Sequence, residues 1–311
     1  MVEVDSLSRY YGSRCAVDRV SFSIAANEVV GFLGLNGAGK SSTLKVLAGL
    51  MLPSSGTVTI DGVDMGTNPT AVRANIGFLP EDPPLYTEMR VTDFLRFVAG
   101  LRGMSTSDIE ARLPDVLKKT HLTDVADRVI DELSHGYRKR VGIAQAIIHA
   151  PKLVILDEPI SGLDPVQIVE IRGVIRGLAE ESTVLVSSHI LSEISQTVDR
   201  ILVLNQGRLV AQGTEAELAG RFYIGGSVDM VLRGDRAKIE STLQAHESVK
   251  KLIDLDGDGD DIVIRVSMAE DVREALVVAL VEAGIGVRGV ANAHDELEGI
   301  FLDLARLEGE T

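Results

Sequence analysis

Cysteine is nearly absent from this 311-residue sequence. Cys15 stands alone, so no intrachain disulfide can form and a reducing compartment is the natural setting. Basic charge is also scarce: 31 lysines and arginines face 46 aspartates and glutamates, a net charge of −15. Such a surface repels nucleic acid phosphates and anionic lipid, which argues against a general DNA- or RNA-binding role. Long apolar runs are missing too. Nothing reaches the roughly 18 uncharged residues that span a bilayer. The strongest stretch, residues 275–287, is interrupted by Glu282, Gly284 and Gly286. The opening Met1-Val2-Glu3-Val4-Asp5 lacks the basic region and apolar core of a targeting segment. Work at a membrane would therefore require another chain. Internal repeats and low-complexity tracts are also absent.

What remains is ordinary folded protein. With 45% hydrophobic and 25% charged residues, the chain can bury a sizeable core without metal or disulfide. Its length suits one large domain or two moderate ones. Residues 1–30 alternate apolar and polar, as at Val2, Val4, Val20, Phe22 and Ile24, the period of half-buried strands. Val29–Leu33, Leu153–Leu156, Thr183–Val186 and Arg200–Leu204 are short apolar runs, as in strands covered on both faces. Strands are also expected at Thr57–Ile60 and Ile76–Leu79. Helices are expected at Ser41–Leu50 and through much of Val91–Ala150, and crossover helices between the apolar strands imply a mostly parallel sheet. After about Gly220, with Gly225-Gly226 as a hinge, the pattern becomes strand, helix, strand, strand, helix, strand and a last helix at Glu296–Leu307. That βαββαβ order suggests a small ferredoxin-like α+β domain over 226–311.

Gly34-Leu35-Asn36-Gly37-Ala38-Gly39-Lys40-Ser41 fits G-x-x-x-x-G-K-[ST], placed after an apolar strand and before a helix. Glycines let backbone N–H groups converge on a phosphate, and the helix start adds its positive dipole end. Lys40 is expected on the β- and γ-phosphates and Ser41 on Mg²⁺. Asn36, Gly37, Ala38, Gly39 and Ser42 complete the nucleotide-binding loop. Leu153–Leu156 ends in Asp157-Glu158, two acids where ligands of open parallel sheets sit. Mg²⁺ accounts for Asp157, directly or through water. Glu158 is then placed to polarise the attacking water as general base.

Asp157-Glu158-Pro159-Ile160-Ser161-Gly162-Leu163-Asp164-Pro165 resembles the Walker B and D-loop segment of ABC ATPases. Leu133-Ser134-His135-Gly136-Tyr137 resembles their signature motif, Ser187-Ser188-His189 their switch histidine loop, and Tyr11-Gly12 their adenine-stacking loop. The resemblance spans residues 1 to about 220 in order and spacing. It implies a P-loop NTPase ABC cassette over 1–220, with an N-terminal antiparallel β-subdomain and a helical subdomain at about 85–150. It further implies ATP and Mg²⁺ as cofactors and two cassettes closing head to tail around ATP. Ser134 and Gly136 would meet the γ-phosphate of the partner cassette, with Asp164 in the D-loop and His189 orienting phosphate and water. Ser134 also suits an ordinary N-cap, and the two roles are compatible. Tyr11 is the expected adenine platform, with Tyr10 as the adjacent alternative.

The sequence departs from the family pattern at His135, Tyr137, Ser42 and, most pointedly, Glu81. Glu81 stands where the Q-loop has glutamine and brings a further negative charge near the metal. Leu79-Pro80-Glu81, Tyr137 and the C-terminal extension resemble exporter cassettes for drugs, polysaccharides or gliding-motility components. The resemblance therefore implies an ATP-hydrolysing subunit, cytoplasmic and peripheral on the inner face of the membrane. It would drive a separate permease that contacts the transported substrate, with residues 83–101 facing that partner. The competing readings are a soluble ABC ATPase without a permease and an ATP-gated regulatory module. A single phosphate loop and the absence of coiled-coil or zinc modules disfavour the first. The intact set Lys40, Asp157, Glu158 and His189 disfavours the second.

Asp254-Leu255-Asp256-Gly257-Asp258-Gly259 imitates the start of a calcium loop, but position twelve is Arg265 and strands flank it. It reads as a hairpin turn. His121, His149, His246 and His294 lack metal-ligand spacing and read as solvated or structural.

Overall fold

The computed structural model describes residues 1–222, 227–255 and 261–292, and the chain parts into two compact units between Glu215 and Ala216. In the first unit the alternating start forms β1 (Val2–Tyr11) and β2 (Arg14–Ile24), with Val2, Val4, Val20, Phe22 and Ile24 buried. β3 (Val29–Leu33), buried at every position, leads through the glycine-rich loop into α1 (Lys40–Leu47). The expected extension of α1 to Leu50 does not form. Gly49 takes the left-handed conformation (φ 69°) just past the C-cap Ala48, which stops the helix. β4 (Ser55–Ile60) and β5 (Val63–Asp64) complete a four-stranded antiparallel sheet in the order β2-β1-β4-β5.

A short α2 (Pro69–Ala74) precedes β6 (Ile76–Leu79). The segment that follows is helical: α3 (Val91–Leu101), α4 (Thr106–Lys119) and α5 (His135–Ile147). Ser105 and Ser134 cap α4 and α5, their hydroxyls accepting from the backbone N–H of Asp108 and Tyr137. Ser134 thereby starts α5 at His135, as an N-cap at that serine requires. Next come β7 (Leu153–Leu156), α6 (Pro165–Leu178), β8 (Thr183–Ser188), a single-turn α7 (Leu191–Ile194), β9 (Arg200–Asn205) and β10 (Arg208–Gly213). The second sheet runs β10-β9-β3-β8-β7-β6, parallel except for the β9–β10 hairpin. Phe32, Leu44, Leu47, Ile155, Leu185 and Leu202 share one buried cluster with Phe22, Val58 and Ile60 of the antiparallel sheet. A fully buried aliphatic or aromatic side chain contributes about 1.5–3 kcal/mol, so this shared cluster holds the two sheets in register with each other.

His149, just past α5, donates from Nε2 to the Ile76 carbonyl at 3.1 Å, while its Nδ1 is buried without a partner. Burial and then the charge of Arg102 push it down to about 4, against the opposing pull of the Ile76 bond, with Arg112 adding a further push down. The folded ring thus stays neutral in a range where an unfolded histidine, near 6.5, takes a proton. Stability is therefore lost as pH falls from about 6.5 towards 4. With the partial exposure of the site discounted, about 1–2 kcal/mol should vanish between pH 7 and 5. Urea midpoints at the two pH values should show this drop in the wild type and a smaller one in His149→Gln. Equal drops would remove His149 as its source.

α8 (Glu215–Phe222) follows β10. In the second unit β11 (Ser227–Arg233), α9 (Arg236–Gln244), β12 (Val249–Leu255), β13 (Ile262–Met268), α10 (Arg273–Glu282) and β14 (Gly286–Asn292) follow in turn. The sheet order β12-β13-β11-β14, antiparallel throughout, is the ferredoxin-like arrangement of a βαββαβ chain. Met230, Leu232, Ile264 and Val266 pack on Ile239, Leu243, Leu276 and Leu280 of the two helices. Asp229 and Arg265 pair through two bonds of 2.7 and 2.9 Å. The Gly225-Gly226 hinge, positions 256–260 of the Asp/Gly turn, His294 and the helix at Glu296–Leu307 lie outside the described residues.

Candidate functional site

Strand order decides which loops meet. β3, β8, β7 and β6 are consecutive neighbours, and all four run the same way. Leu79, Leu156 and Val186 lie in one register row, with Gly31 next along it. The segments leaving those strands are therefore brought to one edge: the glycine-rich loop, Asp157-Glu158, Ser187-Ser188-His189 and Pro80-Glu81. That edge is the carboxyl end of a parallel sheet, where crossover connections leave a crevice.

In the loop, Gly37 and Gly39 take φ 86° and 103°, a region that only glycine enters freely. A side chain at Gly39 would also collide with the Ala16 carbonyl oxygen, and one at Gly34 would lie 2.7 Å from that of Leu204. Gly39 is the residue from which α1 begins, so its backbone both turns the chain and aims the helix start at the crevice. Lys40 is buried. Its Nζ donates to the Gly34 carbonyl at 2.6 Å and lies 3.3 Å from Glu158 Oε1.

Asp157 and Glu158 are both buried at the end of β7. The Ser187 hydroxyl donates to Asp157 Oδ1 at 2.6 Å and accepts from the Glu158 backbone N–H at 2.9 Å. One hydroxyl thus fixes both acids. Glu158 has φ 49°, a left-handed backbone costing about 1–3 kcal/mol in a residue with a Cβ. Its surroundings hold it there. Besides Lys40, His189 Nδ1 lies 2.9 Å from Oε2. On the main-chain side, Lys139 Nζ lies 3.5 Å from the Glu158 carbonyl and donates to that of Glu81. Burial pushes the Lys139 amine below the ordinary lysine range, while the carboxylates of Asp82, Glu81, Glu158 and Asp157 pull it back up.

The crevice is a cavity of about 490 Å³, within the usual range for a small-molecule site. Of the residues singled out in the sequence, Tyr11, Asn36, Gly37, Gly39, Lys40, Ser41, Ser42, Glu81, Glu158 and His189 line it. Ala38 and Asp157 are buried and do not line it. Tyr10 does not line it either. It pairs across β1 and β2 with Cys15, whose thiol beside it raises the phenol above its ordinary value. Tyr11 projects over the loop, its hydroxyl 3.4 Å from Ser42 Oγ, with the Arg9 guanidinium 5.0 Å from the ring centroid. Ser134, Gly136 and Asp164 do not reach this cavity. Ser134 caps α5, and Asp164 caps α6, accepting from the N–H groups of Val166 and Gln167 at 3.0 Å. A Cβ at Gly136 would meet the end of the Gln167 side chain at 2.6 Å, so a side chain there would require Gln167 to shift.

Sequence reasoning passed over Arg14, Ser161, Ser187 and Lys139. Arg14 and Ser161 line the cavity, and nothing in their local pattern marks them. Ser187 directly follows the strand run Thr183–Val186, which is the signal that marks it. Lys139 carried a usable signal: it lies three residues after Gly136, on the same helical face.

Residues 17–161 match the family described as ABC transporter. Over 308 residues the chain is 32% identical to the bacitracin transport ATP-binding protein BcrA of Bacillus licheniformis, covering 98% of this chain and 97% of that one. Among solved structures, an ATP-binding subunit of an ABC transporter superposes with a TM-score of 0.64 at 33% identity, covering 71% of this chain and 93% of that one. A dimeric bacterial ABC transporter cassette superposes with a TM-score of 0.62 at 25% identity, covering 69% and 98%.

Proposed function

This chain belongs to the ATP-binding subunits of ABC transporters, and on that premise we propose that its ATP lies in the cavity over Lys40 and is hydrolysed there with Glu158 as general base. The observation that carries this is the line Lys40–Glu158–His189 at the mouth of the glycine loop, its first two members buried and His189 half-exposed. Lys40 is paired with the Glu158 carboxylate and donates to the Gly34 carbonyl. A triphosphate offers Lys40 more negative charge than either, so its ammonium moves to the β- and γ-phosphates. Glu158 is then released on that side, while His189 still holds Oε2. The freed oxygen takes a proton from water as the water oxygen bonds to the γ-phosphorus. The bond from phosphorus to the β–γ bridging oxygen breaks, leaving ADP and phosphate.

The Ser41 hydroxyl and Glu81, which line the cavity, and Asp157, which is buried off its lining and would act through water, are hard oxygen donors that would suit Mg²⁺. When bound, the ion neutralises charge on the phosphate oxygens. Arg9 occupies one face of the Tyr11 ring, which leaves the other for adenine.

Ser134 and Gly136, remote from this chain's own cavity, would close a second cassette's site in a homodimer or paired cassette. ATP would draw the two together and hydrolysis release them. No described helix is long and apolar enough to cross a membrane. The force would therefore pass to a separate permease, with this subunit on the cytoplasmic face and the transported substrate held by the permease. A relative named as a Nod factor export ATP-binding protein in Rhizobium meliloti, 32% identical over 308 residues, favours an exporter. Fractionation of the native cell tests this. The chain should sediment with membranes and be lost from them when the partner permease is deleted. A chain that never leaves the soluble fraction would be a non-transport ATPase instead.

A further inference from the structure

Lys139 is a buried lysine on α5, 3% exposed, that forms no ion pair among the described residues. Its bonds go to main chain. Nζ donates to the carbonyl of Glu81 and approaches that of Glu158 at 3.5 Å. It does not line the nucleotide cavity, so it is not a phosphate ligand. The buried charges around the γ-phosphate position are then two acids, Asp157 and Glu158, and two cations, Lys40 and Lys139. Lys40 has to leave Glu158 when a triphosphate arrives. Lys139 has no contact with the cavity, and its bonds go to main-chain carbonyls rather than to either carboxylate.

We propose that Lys139 is a positioning residue for hydrolysis: it pins the backbone of Glu158 and Glu81 so that Glu158 keeps its aim once Lys40 has gone to the phosphates. The proposal deepens the ATPase reading above and rests on it. Glu158 needs such a device because its backbone is left-handed and would otherwise relax. The Ser187 hydroxyl holds its N–H, and its carbonyl accepts from the Ser161 N–H at 3.3 Å with Lys139 Nζ beside it at 3.5 Å, so both ends of the residue are fixed. A helix that starts at Ser134 supplies the second clamp, so the segment that would meet another cassette's ATP is tied to the base of its own site.

Lys139→Met keeps the length of the side chain and removes the ammonium. Misplacing a catalytic group by about an ångström costs up to a hundred-fold, so kcat should fall about ten- to a hundred-fold. KM for ATP should stay within about two-fold, since no substrate contact is lost. Lys139→Gln, which keeps a donor, should fall in between. The deciding readout is the background Glu158→Gln, where nothing remains to be aimed. There, adding Lys139→Met should leave the ATP-dependent dimer as abundant as in Glu158→Gln alone. A kcat within about two-fold of wild type, or a fall carried by KM, overturns the proposal. So does loss of the dimer in the double variant, or failure of both Lys139 variants to fold, since either marks a prop of the fold. If the wild-type chain itself releases no phosphate from Mg-ATP, the ATPase reading fails, and not this one alone.

Discussion

Glu158→Gln should abolish nearly all phosphate release while leaving ATP binding intact. Positioned bases contribute about a hundred- to ten-thousand-fold, and the amide cannot take the proton from water. The amide oxygen can still accept from His189, so the geometry at Oε2 should persist. Binding should even improve. In the free protein Lys40 is held by the Glu158 carboxylate at 3.3 Å, and a neutral amide gives up that cation to the phosphates more readily. A cassette that binds ATP and cannot cleave it should accumulate as a nucleotide-sandwiched dimer. Size-exclusion chromatography in Mg-ATP should show the dimer for the variant and mostly monomer for the wild type, alongside a phosphate-release assay. Turnover near the wild-type rate would take Glu158 out of its role.

Lys40→Met should do the opposite, losing ATP affinity first. The buried Lys40 is the cation nearest the loop's phosphate position, and truncating one partner of a buried, hydrogen-bonded charge pair costs about 2–5 kcal/mol. That corresponds to a loss of roughly thirty- to several thousand-fold in affinity, measurable by titration calorimetry with Mg-ATP. The same change should also lower the stability of the nucleotide-free protein, because Glu158 is buried and left with only His189 beside its carboxylate. Lys40→Met with Glu158→Gln removes both charges together, so it should regain part of the lost stability while ATP affinity stays well below that of the wild type. A double variant as unstable as Lys40→Met would show that the ion pair contributes nothing to the free fold.

The two experiments also separate binding from chemistry along one line of side chains. Lys40, Glu158 and His189 lie within 3.3 Å of their neighbours, so none can be altered without changing the next. Binding and phosphate release therefore have to be measured separately for each variant.

Much of this was legible in the chain itself. Runs such as Val29–Leu33 and Leu153–Leu156 are apolar at every position because strands covered on both faces have no solvated side, and they form as written. The glycine-rich loop needs glycine at Gly37 and Gly39 for backbone reasons that any sequence must satisfy locally. The βαββαβ order of the second unit could be read from alternation and helical spacing alone. Helix ends were less legible, because one left-handed glycine at 49 outweighs propensity over the last turn of α1.

Other features were decided only by the tertiary fold. Two adjacent tyrosines on one strand point to opposite faces, and the register of β1 shifts between Arg9 and Tyr10, so counting by twos could not say which one overhangs the loop. Ser187 as the hub of two acids, Lys139 behind Glu158, and Lys40 paired with a residue 118 positions away all depend on β3, β8 and β7 being neighbours. Sequence by itself determined the kinds of groups available and the strand ends that carry them, because those follow from local sterics and from burial pattern. Which groups touch was settled by strand order and register, which belong to the packing of the whole sheet and leave no trace in any short window of the chain.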